Sequence, residues 1–459
     1  MGPRETKTVA VDIVDIAFPN NYGVGKSDGY VFFVPGAIPE DSVNVEVTGR
    51  GRQFGYGKIL SIDKPSPFRI EPFCPHFGSC GGCTLQNLSY DRQLTIKENY
   101  LRQTLMRLGN IDLNEIDLHP ITPSPKTVFY RGKIELAFGK HGERITLGLR
   151  ERVSPFKKYD AAVVPLRECR ACSPSLKKII PVFVDFAQTN SLSPYNPITK
   201  EGFLRHLIVR ESKSTGELMC ILETTDGKLP DLDQCLQSLA EKVPEITSVY
   251  TAVNNGTSDV VQYEKTSHIA GKHYIEEKLG RFVFRIYPES FFQPNAEAAQ
   301  RLYETIPDLT VLDNNQTLFG LYCGAGTIEI FLSSHVREVI GFDSLRANIA
   351  NAAVNCHING ITNVSFHAMK VEHLFQNGPI QKPDVLIVDP PRSGLSNEAF
   401  KVIFKLRPKK IVYISCNPST LARDLKFLRP EQYLIDKIAP FDFFPHASHL
   451  ETAVSLHRK

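Results

Sequence analysis

The chain lacks a long apolar run. No stretch of its 459 residues approaches the roughly 20 apolar residues that cross a bilayer, so no membrane partner is expected. Its start, MGPRETKTVAV, has no apolar core of signal-peptide length, and a cytoplasmic location is expected. MGPRET fits the literal myristoylation pattern, but Pro3 makes a poor start to such a site. Charge of one sign is not in excess either: Lys+Arg 53 against Asp+Glu 50 gives +3. A strongly basic coat is thereby excluded, while local pairs such as Arg50 with Arg52, or Lys409 with Lys410, remain. Net charge neither requires nor excludes RNA. Repeats and low-complexity tracts are also absent. The length calls for two or three domains.

What is present begins with short alternating strands. Residues 8 to about 65 hold VAVDIV, GYVFFVPG, DSVNVEVTG and GYGKILSI, with Val43, Val45 and Val47 on one face and turns at Asn20-Asn21, Pro35-Gly36 and Gly49. Five short strands of this size suit a small closed barrel of the OB kind, which often binds oligonucleotides and also occurs without a ligand. KPSPFRIEPFCPHFGSCGGC breaks the pattern and marks a boundary. A helix follows, with Leu94, Leu101, Leu105 and Leu108 at helical spacing up to Gly109. From about 127 to 290 the pattern is mixed: RITLGLRER reads as a strand, and LIVRES and MCILETT as a hairpin joined across Ser214 to Glu217. From Thr317, TLFGLY, EVIGFD, NVSFH, DVLIVD and KIVYISC alternate with helical stretches. That alternation predicts a doubly wound parallel sheet, with ligands at the carboxyl ends of its strands.

Four motifs carry chemistry. In LYCGAGTIEI, Gly324-Ala325-Gly326 lets the backbone approach a ligand, and Asp343, ending the next strand, can accept from both ribose hydroxyls of a nucleoside cofactor. The third glycine of a dinucleotide fingerprint is missing, so S-adenosylmethionine fits better than NAD; a plain tight turn is the ordinary alternative. In VLIVDPPRSGL, Asp389 ends a strand and two prolines stiffen the loop after it. Similar acidic-Pro-Pro loops hold the target in base-directed methyltransferases. In YISCNPSTLARDL, Cys416 sits at a strand end, where a thiol is positioned and exposed enough to be a nucleophile, although a lone cysteine is more often core. In CPHFGSCGGC, Cys74, Cys80 and Cys83 supply three thiolates of a four-ligand site. Such clustering in a chain expected to be cytoplasmic points to metal rather than disulfides. Cys169 and Cys172 of LRECRACSP are candidates for the fourth position, and an iron–sulfur cluster and zinc are both compatible.

Taken together these stretches resemble the RNA uracil-5-methyltransferase (m5U) family, in the 23S rRNA-type branch that carries an N-terminal TRAM domain and a [4Fe–4S] cluster. The likeness covers nearly the whole chain: VFFVPGAIPEDSVNVEV with PSPFRIEPFC, then C-x5-C-x2-C, ESFFQPN, LYCGAGT, DPPRSGL, SCNPSTLARDL and SHLETAV in family order. The resemblance implies a multidomain α/β protein. Residues 1–66 would form an OB-like TRAM barrel that binds RNA, 67–285 a mixed α+β central domain with the cluster, and 286–459 a Rossmann-like catalytic domain using S-adenosylmethionine. It makes Cys74, Cys80, Cys83 and Cys169 the cluster ligands, Cys169 being preferred over Cys172 from family spacing. Gln293, Tyr322, Gly324, Gly326, Thr327, Asp343 and Asp389 fall on cofactor-site positions. Cys416 becomes the nucleophile and Glu451 the general base. Lys370 and Gly132 depart from the family pattern, which often has Asn or an acid at the first position and Asn at the second.

The chemistry explains this pair. Uracil C5 is too poor a nucleophile to attack a methyl sulfonium unaided; thiolate addition at C6 makes C5 nucleophilic, and a base must then remove the C5 proton. The target uridine must be unpaired or flipped out, so flanking single-stranded RNA needs a grip, for which Arg131, Lys133, Arg205 and Arg210 are candidates. The cluster is expected to be structural and the protein a monomer. The resemblance favours 23S rRNA over a tRNA uridine-54-type target. Rival readings are a methyltransferase acting at an exocyclic amine and a catalytically idle RNA-binding ribosome-assembly factor.

Overall fold

The computed structural model describes residues 7–152, 162–376, 378 and 380–459. The first five strands, β1 (Thr8–Ala17), β2 (Tyr22–Ser27), β3 (Tyr30–Pro35), β4 (Ser42–Arg50) and β5 (Phe54–Lys64), form a closed barrel in the order β1-β2-β3-β5-β4. Alternation drives it: Val11, Ile13, Val43 and Val45 point inward, with Val47 packed against them. Buried Asp41 pins the barrel's exit, accepting from Ser66 N at 2.9 Å and pairing with Arg69.

Helix α1 (Tyr90–Arg107) follows. Its buried face is Gln93, Ile96, Lys97, Leu101, Thr104 and Leu105. Of the leucines read from spacing, Leu94 is half-buried and Leu108 exposed, because polar Gln93 and Lys97 occupy core positions that a hydrophobic count passes over.

A seven-stranded sheet occupies the middle of the chain. Strands β7 (Lys133–His141), β8 (Arg144–Arg150), β9 (Val163–Pro165), β10 (Leu204–Glu211), β11 (Leu218–Thr224), β12 (Ile246–Val253) and β13 (Lys265–Gly271) take the order β13-β12-β11-β10-β7-β8-β9, while β6 (Asp117–Leu118) lies elsewhere. The expected hairpin is present as β10 and β11. Helices α2 (Leu176–Thr189) and α3 (Asp233–Lys242) cover one face, and their apolar sides share a core with the sheet.

The last unit starts with hairpin β14 (Ile275–Leu279) and β15 (Phe282–Ile286) and helix α4 (Ala296–Thr310). Its strands are β16 (Thr317–Leu321), β17 (Glu338–Asp343), β18 (Val364–Ala368), β19 (Val385–Val388), β20 (Lys410–Ser415), β21 (Tyr433–Phe441) and β22 (Glu451–Arg458). They are interleaved with α5 (Thr327–Leu332), α6 (Arg346–Ile358), α7 (Asn397–Leu406) and α8 (Pro418–Glu431). The sheet order is β18-β17-β16-β19-β20-β22-β21-β6. The first five are parallel, as the alternation predicts, and β22 runs antiparallel between β20 and β21.

Two segments fall on the other side of the expected boundary between residues 67–285 and 286–459. Helix α1 packs on α8, with Leu101 and Leu105 in one core with Leu421 and Leu425, and β6 adds to the edge of β21. Hairpin β14–β15 packs with α4 and the sheet. Each contributes apolar surface that the C-terminal sheet needs to bury, worth about 1.5–3 kcal/mol per large side chain.

Candidate active site

Three strand ends build the site. After β16, Tyr322, Gly324 and Gly326 take positive φ values of 63°, 54° and 76°, a backbone that glycine adopts freely and tyrosine only under constraint. The turn brings the Gly324 N–H onto Asp343 Oδ2 at 3.0 Å, while Asp343 Oδ1 accepts from Leu345 N at 2.8 Å and Asn348 Nδ2 at 3.1 Å. A carboxylate has about four acceptor positions, so Asp343 keeps capacity for a ribose hydroxyl. Thr327 Oγ1 lies 3.3 Å from the hydroxyl of buried Tyr303. The Phe291 ring, 56 % exposed, stands 3.8 Å from where a Cβ on Gly324 would sit, leaving the turn open beside an aromatic face. Gln293, on the same loop, lines a narrow crevice with Lys133 and Arg210.

The Asp389 N–H donates to Leu321 O at 3.3 Å, which sets that residue beside the glycine turn. Burial pushes its carboxyl up to about 7. Strand β20 pairs with β22 so that Ser415 faces Thr452; continued one step past the ladder, this register sets Cys416 opposite Glu451. Burial pushes the Cys416 thiol up to about 11, with Glu451 and Asp389 adding to the shift and Arg392 opposing it. Glu451 is 5 % exposed, and burial holds its carboxyl well above the usual range, Asp389 again adding and Arg392 opposing. Asp389 and Arg392 thus lie close enough to act on both Cys416 and Glu451. Cys416 is half-buried rather than sealed in the core.

The start of α8 organises this edge. Asn417 caps the helix, accepting from Ser419 N at 3.0 Å, and donates its amide to Arg392 O at 3.2 Å. Pro418 takes the first helical position, where its missing N–H costs nothing and its fixed φ suits the helix. Further along, Arg423 donates to Ser393 O at 2.9 Å, and Asp424 accepts from Leu395 N at 2.8 Å and from the Tyr413 hydroxyl at 2.6 Å. The loop after Asp389 is thus clamped to α8, and a side chain at Gly394 would meet Arg423 and Asp424 at 2.5 Å.

A hollow of about 680 Å³ opens from Arg392, Ser448 and His449 toward Tyr22 of the barrel, with Arg131, Cys74, Cys80, Cys83 and Cys169 on its walls. Burial pushes Cys80 to about 11 and Cys83 to about 12, and the charges of the neighbouring cysteines add to both. Cys172 is turned into the core at 1 % exposure. Among the described residues, no three His, Cys, Asp or Glu side chains stand together as a cage for a metal ion; the four cysteines line the one hollow.

Two of the expected RNA contacts are not available. Arg205 is 2 % exposed and donates to Gly256 O at 2.7 Å and to Ser258 O, with its guanidinium over Tyr195. Arg210, 4 % exposed, donates to Tyr287 O at 2.6 Å and to Ser290 O. Both guanidiniums hold loops to the central sheet. Lys133 pairs with Glu135 at 2.7 Å, and of the four only Arg131 reaches the large hollow. Gly132 departs from the family pattern for a reason of space: a Cβ there would lie 2.8 Å from Glu211 O.

With this geometry in place, the comparisons with known proteins are specific. A family model described as tRNA (uracil-5-)-methyltransferase matches residues 256–459. An uncharacterized RNA methyltransferase of Clostridium tetani is 34% identical over 100% of this chain and 99% of its own. Another, of Caldanaerobacter subterraneus, is 36% identical over 98% of each. The chain belongs to the RNA uracil-5-methyltransferase family. Among solved structures, the tRNA (uracil-54, C5)-methyltransferase of Pyrococcus abyssi in complex with S-adenosyl-L-homocysteine is similar, with TM-score 0.76, 30% identity, and coverage of 97% of this chain and 99% of that one. Members of this family methylate RNA with S-adenosylmethionine, and this chain is such an enzyme.

Sequence reasoning missed four side chains at or behind this family's site. Arg392 was legible as a cation just past a strand-end acid, yet only the fold brings it to Cys416. His449, which lines the hollow, is held to about 4 by burial and by Arg392. Lys97 and Asp442 form an ion pair with neither side chain exposed, 2.7 Å apart. They are 345 residues apart in the chain, and no local pattern could pair them.

Proposed function

We propose that this enzyme forms 5-methyluridine in RNA by a covalent route in which Cys416 is the nucleophile and Glu451 the base. The observation that supports the reading is the register of β20 and β22, whose continuation past Ser415 and Thr452 sets Cys416 opposite Glu451, with Asp389 and Arg392 close enough to shift both groups. The donor set suits S-adenosylmethionine: an acceptor at Asp343 for ribose, an aromatic wall at Phe291 and a buried carboxyl beside the turn at Asp389. When bound, that cofactor supplies an electrophilic methyl group. A cation near buried acids favours their ionised forms, and Arg392 acts in this way on both Cys416 and Glu451.

In this mechanism Arg392 stabilises the Cys416 thiolate, which adds to uracil C6. The negative charge that develops on the ring makes C5 the atom that is methylated. Glu451 then takes the C5 proton, and the thiolate leaves. Asp389 holds the base in register with the glycine turn. Flipping the uridine costs about a few kcal/mol, and the hollow between Arg392, Arg131 and Tyr22 is where flanking nucleotides would offset it.

Cys74, Cys80, Cys83 and Cys169 would hold a [4Fe–4S] cluster: all four line one hollow, and such a cluster offers a separate iron to each thiolate. Zinc, the rival metal, would need all four sulfurs within about 2.3 Å of one point. Bound there, the cluster would cross-link the loop after the barrel to the 166–172 segment, with no electron transfer required by the reaction.

For the RNA, 23S rRNA is the target expected from the resemblance. A second reading, tRNA, is favoured by the full-length likeness to a tRNA enzyme, since the barrel and cysteine loop then do not separate the two. One experiment tests the whole: RNA from cells lacking the gene is incubated with the protein and a methyl-labelled donor, and digested. Label in 5-methyluridine is expected, lost in Cys416→Ala. Label on an exocyclic amine, or none, would overturn the proposal, and the labelled RNA species identifies the target.

A further inference from the structure

Glu451 is the first residue of β22, and residues 442–450 form the strap that leads to it from β21. Four consecutive carbonyls of this strap are each taken by a different part of the chain. Phe443 O accepts from Asn295 Nδ2 at 3.0 Å, Phe444 O from Lys97 Nζ at 2.9 Å, and Pro445 O from the Tyr130 hydroxyl at 3.0 Å. His446 O accepts from the backbone N–H groups of Thr84 and Leu85 at 2.8 and 3.0 Å. The Asp442 carboxylate accepts from Lys97 at 2.7 Å, from the Tyr90 hydroxyl at 2.9 Å and from Phe444 N at 3.1 Å.

Lys97 is the centre of this arrangement. Its ammonium joins the side chain that opens the strap to a carbonyl two residues on, and both partners of the ion pair are fully buried. A buried ion pair is a weak source of stability, because desolvation offsets the attraction and an apolar pair of similar volume often does as well. What it fixes is geometry. With residues 442–446 held, the short stretch from Ala447 to Leu450 connects these anchors to Glu451, and within it Ser448 and His449 line the hollow.

We propose that Lys97, through Asp442 and the Phe444 carbonyl, is a positioning residue that sets the Glu451 carboxylate against the C5 hydrogen of the methylated base. This rests on the reading of Glu451 as the base. In that step the carboxylate takes the C5 proton, the C–H electron pair becomes the C5=C6 double bond, and the C6–Sγ bond breaks with its electrons returning to sulfur. A displaced carboxylate slows this step alone. Thiolate addition and methylation continue, so a methylated RNA–protein adduct accumulates.

The test uses the full chain with methyl-labelled donor and substrate RNA, and compares Lys97→Met, the charge-free pair Lys97→Met/Asp442→Asn, Tyr130→Phe and Glu451→Gln. A misplacement of about 1 Å costs up to roughly a hundredfold in rate, so the double variant is expected to lose roughly ten- to a hundredfold in kcat with KM for RNA nearly unchanged. Label is expected to survive in a protein–RNA band on a denaturing gel. Tyr130→Phe, which removes one hydroxyl from the strap, should show the same band at lower amplitude and serves where the Lys97 variants do not fold. A folded double variant, or failing that Tyr130→Phe, that turns over normally or slows without trapping label overturns the inference, provided Glu451→Gln traps it. If Glu451→Gln itself turns over normally, it is the assignment of the base that fails.

Discussion

Arg392 stands beside both Cys416 and Glu451, and its charge opposes the upward shift that burial imposes on each. Its backbone carbonyl is held from below by Asn417 and Thr420 at 3.2 Å, so the cation is delivered to the thiol by the same helix start that follows the cysteine. Replacing it with glutamine removes a positive charge that opposes this shift at the thiol. The Cys416 thiol, already pushed up to about 11 by burial, should then lose its proton only at higher pH. The alkaline rise in alkylation of Cys416, followed by mass spectrometry, should shift upward in Arg392→Gln, and the ascending limb of kcat against pH should follow it.

Asp389 gives a pH dependence of stability with a definite sign. Burial pushes its carboxyl up to about 7 in the folded chain, against about 3.9 when unfolded. Between those values the folded state holds a proton that the unfolded state has released, so stability falls as pH rises through this window and levels off above about 7. Asp389→Asn removes the penalty. It should raise the melting temperature at pH 8, by at most about 4 kcal/mol of stability at 1.36 kcal/mol per unit, have little effect at pH 4, and lose methylation.

Asp424 holds the loop that carries Arg392. It is fully buried and accepts from Leu395 N, Tyr413 Oη and Arg423 Nε. Asp424→Asn turns one acceptor oxygen into a donor facing these donors, at a cost of about 1–3 kcal/mol. Denaturant midpoints should fall accordingly, and labelled-methyl incorporation should drop more steeply than stability alone explains.

Cys169 and Cys172 are separated by their surroundings. Cys169 shares the hollow with Cys74, Cys80 and Cys83, while Cys172 is packed in the core. Iron measured per chain after anaerobic purification should fall in Cys169→Ser and stay near the parental value in Cys172→Ser. Equal loss in both would set the ligand assignment aside.

Much of this was legible in the sequence, for identifiable reasons. The parallel strands of the last unit are short apolar runs ending in Leu321, Asp343, Val388 and Ser415, and a run that begins and ends abruptly is readable. The Val43 and Val45 alternation gave the barrel in the same way. Arg205 and Arg210 were misread because a basic side chain on a strand looks the same in sequence whether it faces solvent or is spent on carbonyls. Lys97 was invisible for a related reason: a lysine on an apolar helix face has meaning only once Asp442 is beside it.

Helix α1 and strand β6 complete a sheet whose neighbouring strands are made last. Tyr90 and Lys97 wait for Asp442, and Leu101 and Leu105 wait for Leu421 and Leu425. During synthesis, therefore, an N-terminal helix with an apolar side emerges from the ribosome more than three hundred residues before its cover. Such long-range closure is slow and exposed to self-association. A fragment cut at the apparent domain boundary would leave the same surfaces bare permanently. The catalytic unit thus draws on chain from both sides of the central sheet, and its C-terminal half alone would lack part of its core.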